Sequence, residues 1–194
     1  TIEHYKNTNY SNIKKGHING MINQAEWLWQ RIIERGSNSE SNFKESLNLQ
    51  PGASAEDFQL IEDTLGLTLP EEMKSFYKVY NGQIWEPGVN PFVRNLTLSP
   101  ISEIISNWEF LQEEFDPDDD LEPDIEKELK PALWNSKWIP IAENGGGDYL
   151  SIDTDPSEVG LTGQVLYYYH DWGKRAIEAK NIFAFIEICL KEEN

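Results

Sequence analysis

Acidic side chains dominate the residues of this sequence that could do chemistry. The chain has 34 Asp and Glu residues against 16 Lys and Arg residues, and its formal net charge is −18. Twelve of the acidic residues lie between Glu103 and Glu128, where Lys127 is the one basic residue. Such a concentration of charge repels nucleic acid and anionic membranes, and it accelerates association with a basic protein. An acidic surface that serves solubility fits the charge equally well.

Carboxylates also lie close in sequence to a run of three glycines. Asp153 and Asp155, with Glu143 and Asp148 nearby, resemble a site for a hard cation such as Ca²⁺ or Mg²⁺. Their spacing lacks the glycine and the terminal bidentate glutamate of a calcium-binding loop. We therefore interpret the Asp153 to Asp155 segment as a solvated turn before Pro156.

Other residue pairs suggest catalysis without supporting it. His170 and Asp171 would form an acid–base pair, but neighbours on a strand point to opposite faces, and no motif around them supplies a nucleophile. Glu113 and Glu114 have the residue type that glycoside hydrolysis needs, but runs of acidic residues are usually solvated. Three histidines are too few to predict a histidine-rich metal site. We assign no catalytic residue, metal ligand or cofactor, and we expect a protein that is not an enzyme.

The cysteine count and the lengths of the apolar runs indicate the cellular compartment of the protein. Cys189 is the one cysteine, so the chain cannot form an internal disulfide, and its apolar neighbours predict a buried thiol. No apolar run approaches the roughly 18 residues of a membrane-spanning helix, and residues 1–15 are too polar for a signal peptide. These features predict a cytoplasmic protein that does not bind membranes.

Hydrophobic spacing predicts the elements that would position the acidic residues. Helical spacing runs over residues 18–33, 54–66, 101–115 and 180–191. Strands are predicted at residues 95–98, 137–142, 148–153 and 163–170. Helices before and after consecutive short strands indicate an α+β fold, in which helices flank a mostly antiparallel sheet.

In two segments, the residue types at the ends indicate where secondary-structure elements begin and end. Residues 66–82 predict a helix, because Pro70 suits the first helical position and Asn81 with Gly82 can take the left-handed conformation that ends a helix. Residues 138–152 read as strand, glycine turn and strand, which is typical of a hairpin with positive φ in its turn.

In this order and at this separation, the two segments resemble the SUKH superfamily, which includes fungal cell-wall-synthesis regulators of the Smi/Knr type and many bacterial immunity proteins. The resemblance extends to the strand that begins Gly163-Gln164-Val165 and to the closing helix around residues 181–186. It implies an α+β domain. We divide the chain into an N-terminal extension with an amphipathic helix, residues 1–52, and a SUKH-like domain, residues 53–194. The sequence decides neither the role of the extension nor the oligomeric state.

The resemblance implies a binding protein with one of two functions. The first is a bacterial immunity protein, which neutralises a cognate polymorphic toxin, such as a nuclease, by direct binding. A toxin that cleaves nucleic acid has a basic cleft, and an acidic protein can occupy that cleft by mimicking phosphate charge. The second is a regulatory or scaffold protein in cell-wall assembly. A hydrolase or small-ligand sensor, with a pocket between the Trp138 strand and the Trp85 loop, is a third alternative.

We place the contact with a basic toxin domain on the acidic segment. The candidate contacts are Glu109, Glu113, Glu114, Asp116, Asp118, Asp119, Asp120 and Glu122. Trp108 and Trp134 would be aromatic anchors if they were exposed, although their periodic positions favour burial in the core.

Overall fold

The elements follow the order expected for an α+β fold. The computed structural model describes the backbone of residues 2–115 and 122–192 and, within them, the side chains from residue 14 onward. The helices are α1 (Ile2–Ser37), α2 (Phe43–Ser46), α3 (Ala55–Leu65), α4 (Glu71–Val79), α5 (Ile101–Glu114) and α6 (Ile182–Lys191). The strands are β1 (Leu49–Pro51), β2 (Tyr80–Gln83), β3 (Thr97–Leu98), β4 (Asp124–Ile125), β5 (Trp138–Glu143), β6 (Tyr149–Asp153), β7 (Val165–Tyr168), β8 (Lys174–Arg175) and β9 (Ile177–Ala179).

A five-stranded sheet is the centre of the molecule. Its order is β3-β5-β6-β7-β9, and all neighbouring strands in it are antiparallel. Strands β1 and β2 form a separate antiparallel pair, whereas β4 and β8 form a short parallel pair. The predicted α+β class with a mostly antiparallel sheet is therefore confirmed. Within the described residues, no helix has the length and apolar character needed to cross a bilayer.

Helix α1 joins the N-terminal extension to the rest of the molecule. Its buried residues Ala25, Leu28, Trp29 and Ile32 follow helical spacing. The Trp29 ring stacks on Phe76 of α4 at 4.6 Å, and Trp29 Nε1 donates a hydrogen bond to the Phe76 carbonyl oxygen at 3.1 Å. The helix begins at Ile2, well before residue 18, where the apolar period of the sequence starts.

The predicted helix boundaries near residue 82 are partly wrong. Helix α4 ends at Val79, Tyr80 is already extended, and the chain passes directly into β2. Asn81 instead accepts a hydrogen bond from the Ile101 amide through its side-chain oxygen at 3.0 Å, so it caps α5. Gly82 has a φ of 73°, and a Cβ there would lie 2.5 Å from the Pro100 nitrogen. Close backbone approach, and not a helix end, explains this glycine.

The two faces of the sheet are covered by different layers. Because strand residues alternate between faces, Val165 packs in a larger core and Leu166 in a smaller one. The larger core receives buried side chains from α1, α3, α4, α5 and α6. The smaller core comprises Leu111, Leu129, Trp134, Trp138, Tyr149, Leu166 and Tyr168. We use these two names below.

Candidate partner-binding surface

Helix α5 presents acidic residues to solvent because its apolar stripe faces inward. Ile101, Ile104 and Leu111 are buried on that stripe. Glu109, Glu113 and Glu114 are exposed. Residues four apart on a helix lie on the same face, so Glu109 and Glu113 are neighbours in space. The structure thus brings three of the predicted contacts together on one helix.

The other predicted contacts lie beyond the end of α5. Glu122 is exposed. Asp116, Asp118, Asp119 and Asp120 fall outside the described residues. We define the acidic face by the exposed α5 residues Glu109, Phe110, Glu113 and Glu114.

Phe110 is an apolar residue on the acidic face that the sequence analysis missed. Its relative exposure is 53%, although it lies between buried positions of α5. On the helix surface, Phe110 lies outside the stripe formed by the buried residues at 101, 104 and 111. A helical projection of the sequence would therefore have identified it as solvent-facing. A large apolar side chain surrounded by exposed charges is a common arrangement at protein interfaces, where an anchor is enclosed by a polar rim.

The two tryptophans considered as anchors take part in the packing of α5 against the sheet. Trp134 is buried and makes edge contacts with Trp138 at 5.7 Å and Tyr168 at 5.4 Å. Trp108 packs against both cores, and its Nε1 donates a hydrogen bond to the Ser136 carbonyl oxygen at 2.9 Å. Trp134 is buried, as its periodic position predicts, whereas Trp108 is only partly buried.

The chain that follows the acidic segment is tied to the β8 strand. The Asp124 amide donates to the Gly173 carbonyl oxygen, and the Glu126 amide donates to the Arg175 carbonyl oxygen, both at 3.0 Å. A Cβ at Gly173 would lie 2.0 Å from the Glu122 carbonyl oxygen, so only glycine fits this crossing. The backbone at Glu122 is therefore held in place.

A buried arginine organises the same region. The Arg175 side chain is 1% exposed and donates hydrogen bonds to the carbonyl oxygens of Leu133, Tyr169, Trp172 and Lys174 at 2.7–3.2 Å. Its guanidinium also lies 4.7 Å from the Tyr168 ring. Burial lowers the pKa of Arg175 to about 10. This side chain joins the segment before β5 to the turn that follows β7.

Two half-buried carboxylates adjoin the start of the acidic segment. Burial raises the pKa of Glu103 on α5, and the nearby charge of Glu143 raises it further. Burial likewise raises the pKa of Glu143, although a hydrogen bond from Asn107 at 3.3 Å opposes the shift. A cationic side chain placed beside these two carboxylates would relieve their repulsion. The pairing of Glu103 with Glu143 is not visible in the sequence, because their proximity depends on how α5 crosses the sheet.

The structure disperses the carboxylates near the glycine turn. Asp153 is buried and accepts hydrogen bonds from the Gln164 amide group and the Asp155 backbone, both at 2.8 Å. Burial raises the pKa of Asp153, whereas an ion pair with Lys130 lowers that of Asp155. Asp153 and Asp155 therefore stabilise the turn at the end of β6. In the proposed pocket region, Trp138 is fully buried in the smaller core, while Trp85 is 63% exposed.

Comparison with known proteins gives the family. A match to the SMI1 / KNR4 family (SUKH-1) covers residues 52–188, which is well over half of the chain. The chain belongs to this family. The match confirms the resemblance to the SUKH superfamily.

Two curated relatives have names related to this family. A glucan synthesis regulatory protein of Neurospora crassa is 21% identical over 203 residues, covering 84% of this chain and 37% of its own length. A KNR4/SMI1 homolog 2 of Debaryomyces hansenii is 23% identical over 226 residues, covering 93% of this chain and 38% of its own length. The chain thus spans less than two fifths of these relatives. The second alignment covers so much of the chain that it includes most of residues 1–52, which precede the family match.

Proposed function

We propose that this SUKH-1 chain is a non-catalytic domain that regulates cell-wall assembly by binding a basic partner protein on its acidic face. The name of the Neurospora crassa relative, a glucan synthesis regulatory protein, supports the cell-wall role. The observation that carries the binding role is the exposure of Glu109, Phe110, Glu113 and Glu114 on one packed helix. Family membership supports a regulatory role without catalysis.

The chemistry of the acidic face specifies its partner. Glu109 and Glu113 are like charges at positions i and i+4, which costs the isolated helix about 0.2–0.5 kcal/mol. Lys or Arg side chains of a partner relieve this repulsion and speed the encounter at low salt. An apolar surface on the same partner would cover Phe110. The partner is therefore a basic surface with an apolar centre.

A capture experiment with matched variants tests this proposal. The chain is used as bait in a lysate of its source organism at low and high salt, and captured proteins are identified by mass spectrometry. The test variant carries Glu109→Gln, Glu113→Gln and Glu114→Gln. The control carries Glu26→Gln, Glu45→Gln and Glu158→Gln, which change three exposed acids elsewhere and alter the net charge equally.

The two variants give opposite expectations. We expect a cell-wall assembly protein to bind the chain in a salt-sensitive manner, to bind the control variant equally and to be lost from the test variant. Phe110→Ser should weaken the same complex at both salt concentrations, because its contribution is apolar. Equal capture by the test and control variants would contradict binding through the acidic face.

The immunity function remains a second proposal, supported by the same acidic face and by the net charge of −18. A nuclease toxin has a basic cleft that an acidic helix would fill. Its test requires a toxin domain encoded by a gene adjacent to that of this chain, which is purified and mixed with the chain. A stoichiometric complex that abolishes toxin activity would favour immunity over cell-wall regulation, whereas unchanged toxin activity would exclude it for that toxin.

A further inference from the structure

We propose that Asp148, His170 and Asp171 form a binding site for a divalent transition-metal ion such as Zn²⁺. The ligand atoms that these three side chains offer all lie within 4.8 Å of one another. We call this group the hairpin-end site. It is separate from the acidic face, so the proposal stands independently of the proposed function.

The sheet register brings the three residues together. Asp148 precedes β6, and His170 and Asp171 follow β7, while Tyr149 and Tyr168 are directly paired across the two strands. The turn at the start of one strand therefore meets the turn at the end of the other. Sequence separation conceals this proximity, because the Asp148 carboxylate and the His170 imidazole are 22 residues apart.

The backbone on the Asp148 side is fixed by the glycine turn. Gly147 has a φ of 92°, and a Cβ there would lie 3.1 Å from His170 Nδ1. Glycine thus allows the imidazole to approach the turn. Asn144 accepts a hydrogen bond from the Gly146 amide at 2.8 Å and donates one to Asp148 Oδ2 at 3.1 Å. That second bond is the kind of outer contact that orients a metal-binding carboxylate.

The backbone on the His170 side is fixed by Arg175. Its guanidinium donates to the carbonyl oxygens of Tyr169 and Trp172, which flank His170 and Asp171. The His170 amide also donates to Asp148 Oδ1 at 3.2 Å. Both turns are therefore held before a metal ion arrives, and the adjustment that binding requires falls on the three side chains.

The donor set decides the class of ion. One imidazole nitrogen and two carboxylate oxygens suit Zn²⁺ and neighbouring transition metals better than Ca²⁺, which takes six to eight oxygen ligands. Ligands of one tetrahedral Zn²⁺ ion lie about 3.4 Å apart, given metal–ligand distances near 2.1 Å. His170 Nδ1 and Asp148 Oδ1 are already 2.9 Å apart. Three protein ligands leave a fourth position for water.

Zinc titration of the intact chain tests the site. We expect one equivalent of Zn²⁺ to bind saturably and to shift the imidazole NMR resonances of His170. His170→Gln and Asp171→Asn should each weaken binding by about tenfold or more, because each removes one of three ligands. Both residues are exposed, so these variants should keep their fold, which circular dichroism checks.

A matched control separates this site from other Zn²⁺ ligands. His17→Gln changes the other histidine whose side chain the structure describes, and it should leave Zn²⁺ affinity unchanged. Co²⁺ should give the visible absorption of a tetrahedral complex with the parent chain and lose it with His170→Gln. Absence of saturable Zn²⁺ binding, or an equal loss of affinity in His17→Gln and His170→Gln, would overturn the proposal.

Discussion

The two faces of the central sheet differ in how they are stabilised. The larger core contains side chains from five helices, and the polar side chains of Ser75, Gln83 and Ser99 are buried beside it. The smaller core has seven buried apolar residues, and the polar side chains of Asp153, Gln164 and Arg175 are buried near it. Among the described residues, the buried atoms Trp134 Nε1 and Ser151 Oγ of this side have no hydrogen-bond partner, and Ser99 Oγ beside the larger core has none either. The larger core thus has far more buried apolar side chains, whereas the buried charged residues Asp153 and Arg175 lie on the side of the smaller core.

This difference suggests a division of labour. An unsatisfied buried polar group costs roughly 1–3 kcal/mol, and the smaller core has far fewer buried apolar residues to offset two such groups. Proteins usually break such packing rules where function requires it. The acidic face lies on the helix that covers this side, through Leu111 and Trp108. We infer that the larger core supplies the scaffold and that the layer over the smaller core supplies the binding surface.

The first prediction concerns the larger core, where we expect the greatest loss of stability. Trp29→Ala removes a fully buried side chain, its stacking on Phe76 and its hydrogen bond to the Phe76 carbonyl oxygen. We expect the free energy of unfolding to fall by about 3–5 kcal/mol in urea denaturation. Such a loss would show that the N-terminal extension folds as part of the domain.

Trp27→Ala is the matched control for this change. Trp27 lies on the same helix but is 51% exposed, so its loss should change the free energy of unfolding by less than about 0.5 kcal/mol. If Trp29→Ala were as mild as Trp27→Ala, α1 would be a peripheral attachment to the fold.

The second prediction concerns the smaller-core side. Arg175→Met removes the donors for the carbonyl oxygens of Leu133, Tyr169, Trp172 and Lys174. We expect the free energy of unfolding to fall by about 3 kcal/mol, because these acceptors lose charged partners in a buried place. Lys174→Met changes a neighbouring, partly buried cation and should cost less than about 1 kcal/mol. Equal losses in urea denaturation would show that Arg175 acts only through its charge.

Local signals in the sequence predict most of the elements. The capping box at Ser54 and the left-handed Gly66 are both present at the ends of α3, because these motifs depend on residues within one turn. The hairpin of β5 and β6 likewise follows from two short apolar runs and from the glycines with positive φ at 145 and 147 between them. The Asn81 and Gly82 interpretation failed because the partners of these residues, near residue 100, lie outside any local window.

The sites are less predictable than the elements. Exposure of Glu109, Glu113 and Glu114 follows from helical spacing, so this part of the acidic face was accessible to sequence reasoning. The buried position of Arg175 and the grouping of Asp148 with His170 depend on strand register and on turns that meet in space. No periodic signal contains that information.

The third prediction concerns how the free energy of unfolding depends on pH. A carboxyl whose pKa is raised in the folded state favours folding in its protonated form, so its contribution is fully present below its unfolded pKa and is lost as pH rises through the folded pKa. Glu103 is such a group. Glu103→Gln should therefore raise the free energy of unfolding at pH 7, by less than about 1 kcal/mol because solvent still screens this half-buried group. Urea denaturation at about pH 3.5 should show no gain. An equal gain at both pH values would point to packing and would remove Glu143 repulsion as the cause.

The fourth prediction, with the least change in stability, concerns the turns before β6 and after β7. The hydrogen bond that the His170 imidazole donates to the Asp148 carboxylate raises the pKa of His170. Burial opposes a lower pKa for Asp148, but the hydrogen bonds donated by His170 and Asn144 outweigh it and lower the pKa of Asp148. The pair is therefore most stabilising between the two values: it weakens as pH falls through the Asp148 pKa and as pH rises through the His170 pKa. We expect Asp148→Asn to cost less than about 1 kcal/mol near pH 5.5 and to return the His170 pKa, followed by NMR, toward its ordinary value. An unchanged His170 titration would mean that the 2.9 Å contact is not maintained in solution, and the hairpin-end site would then lack the preorganisation that we ascribe to it.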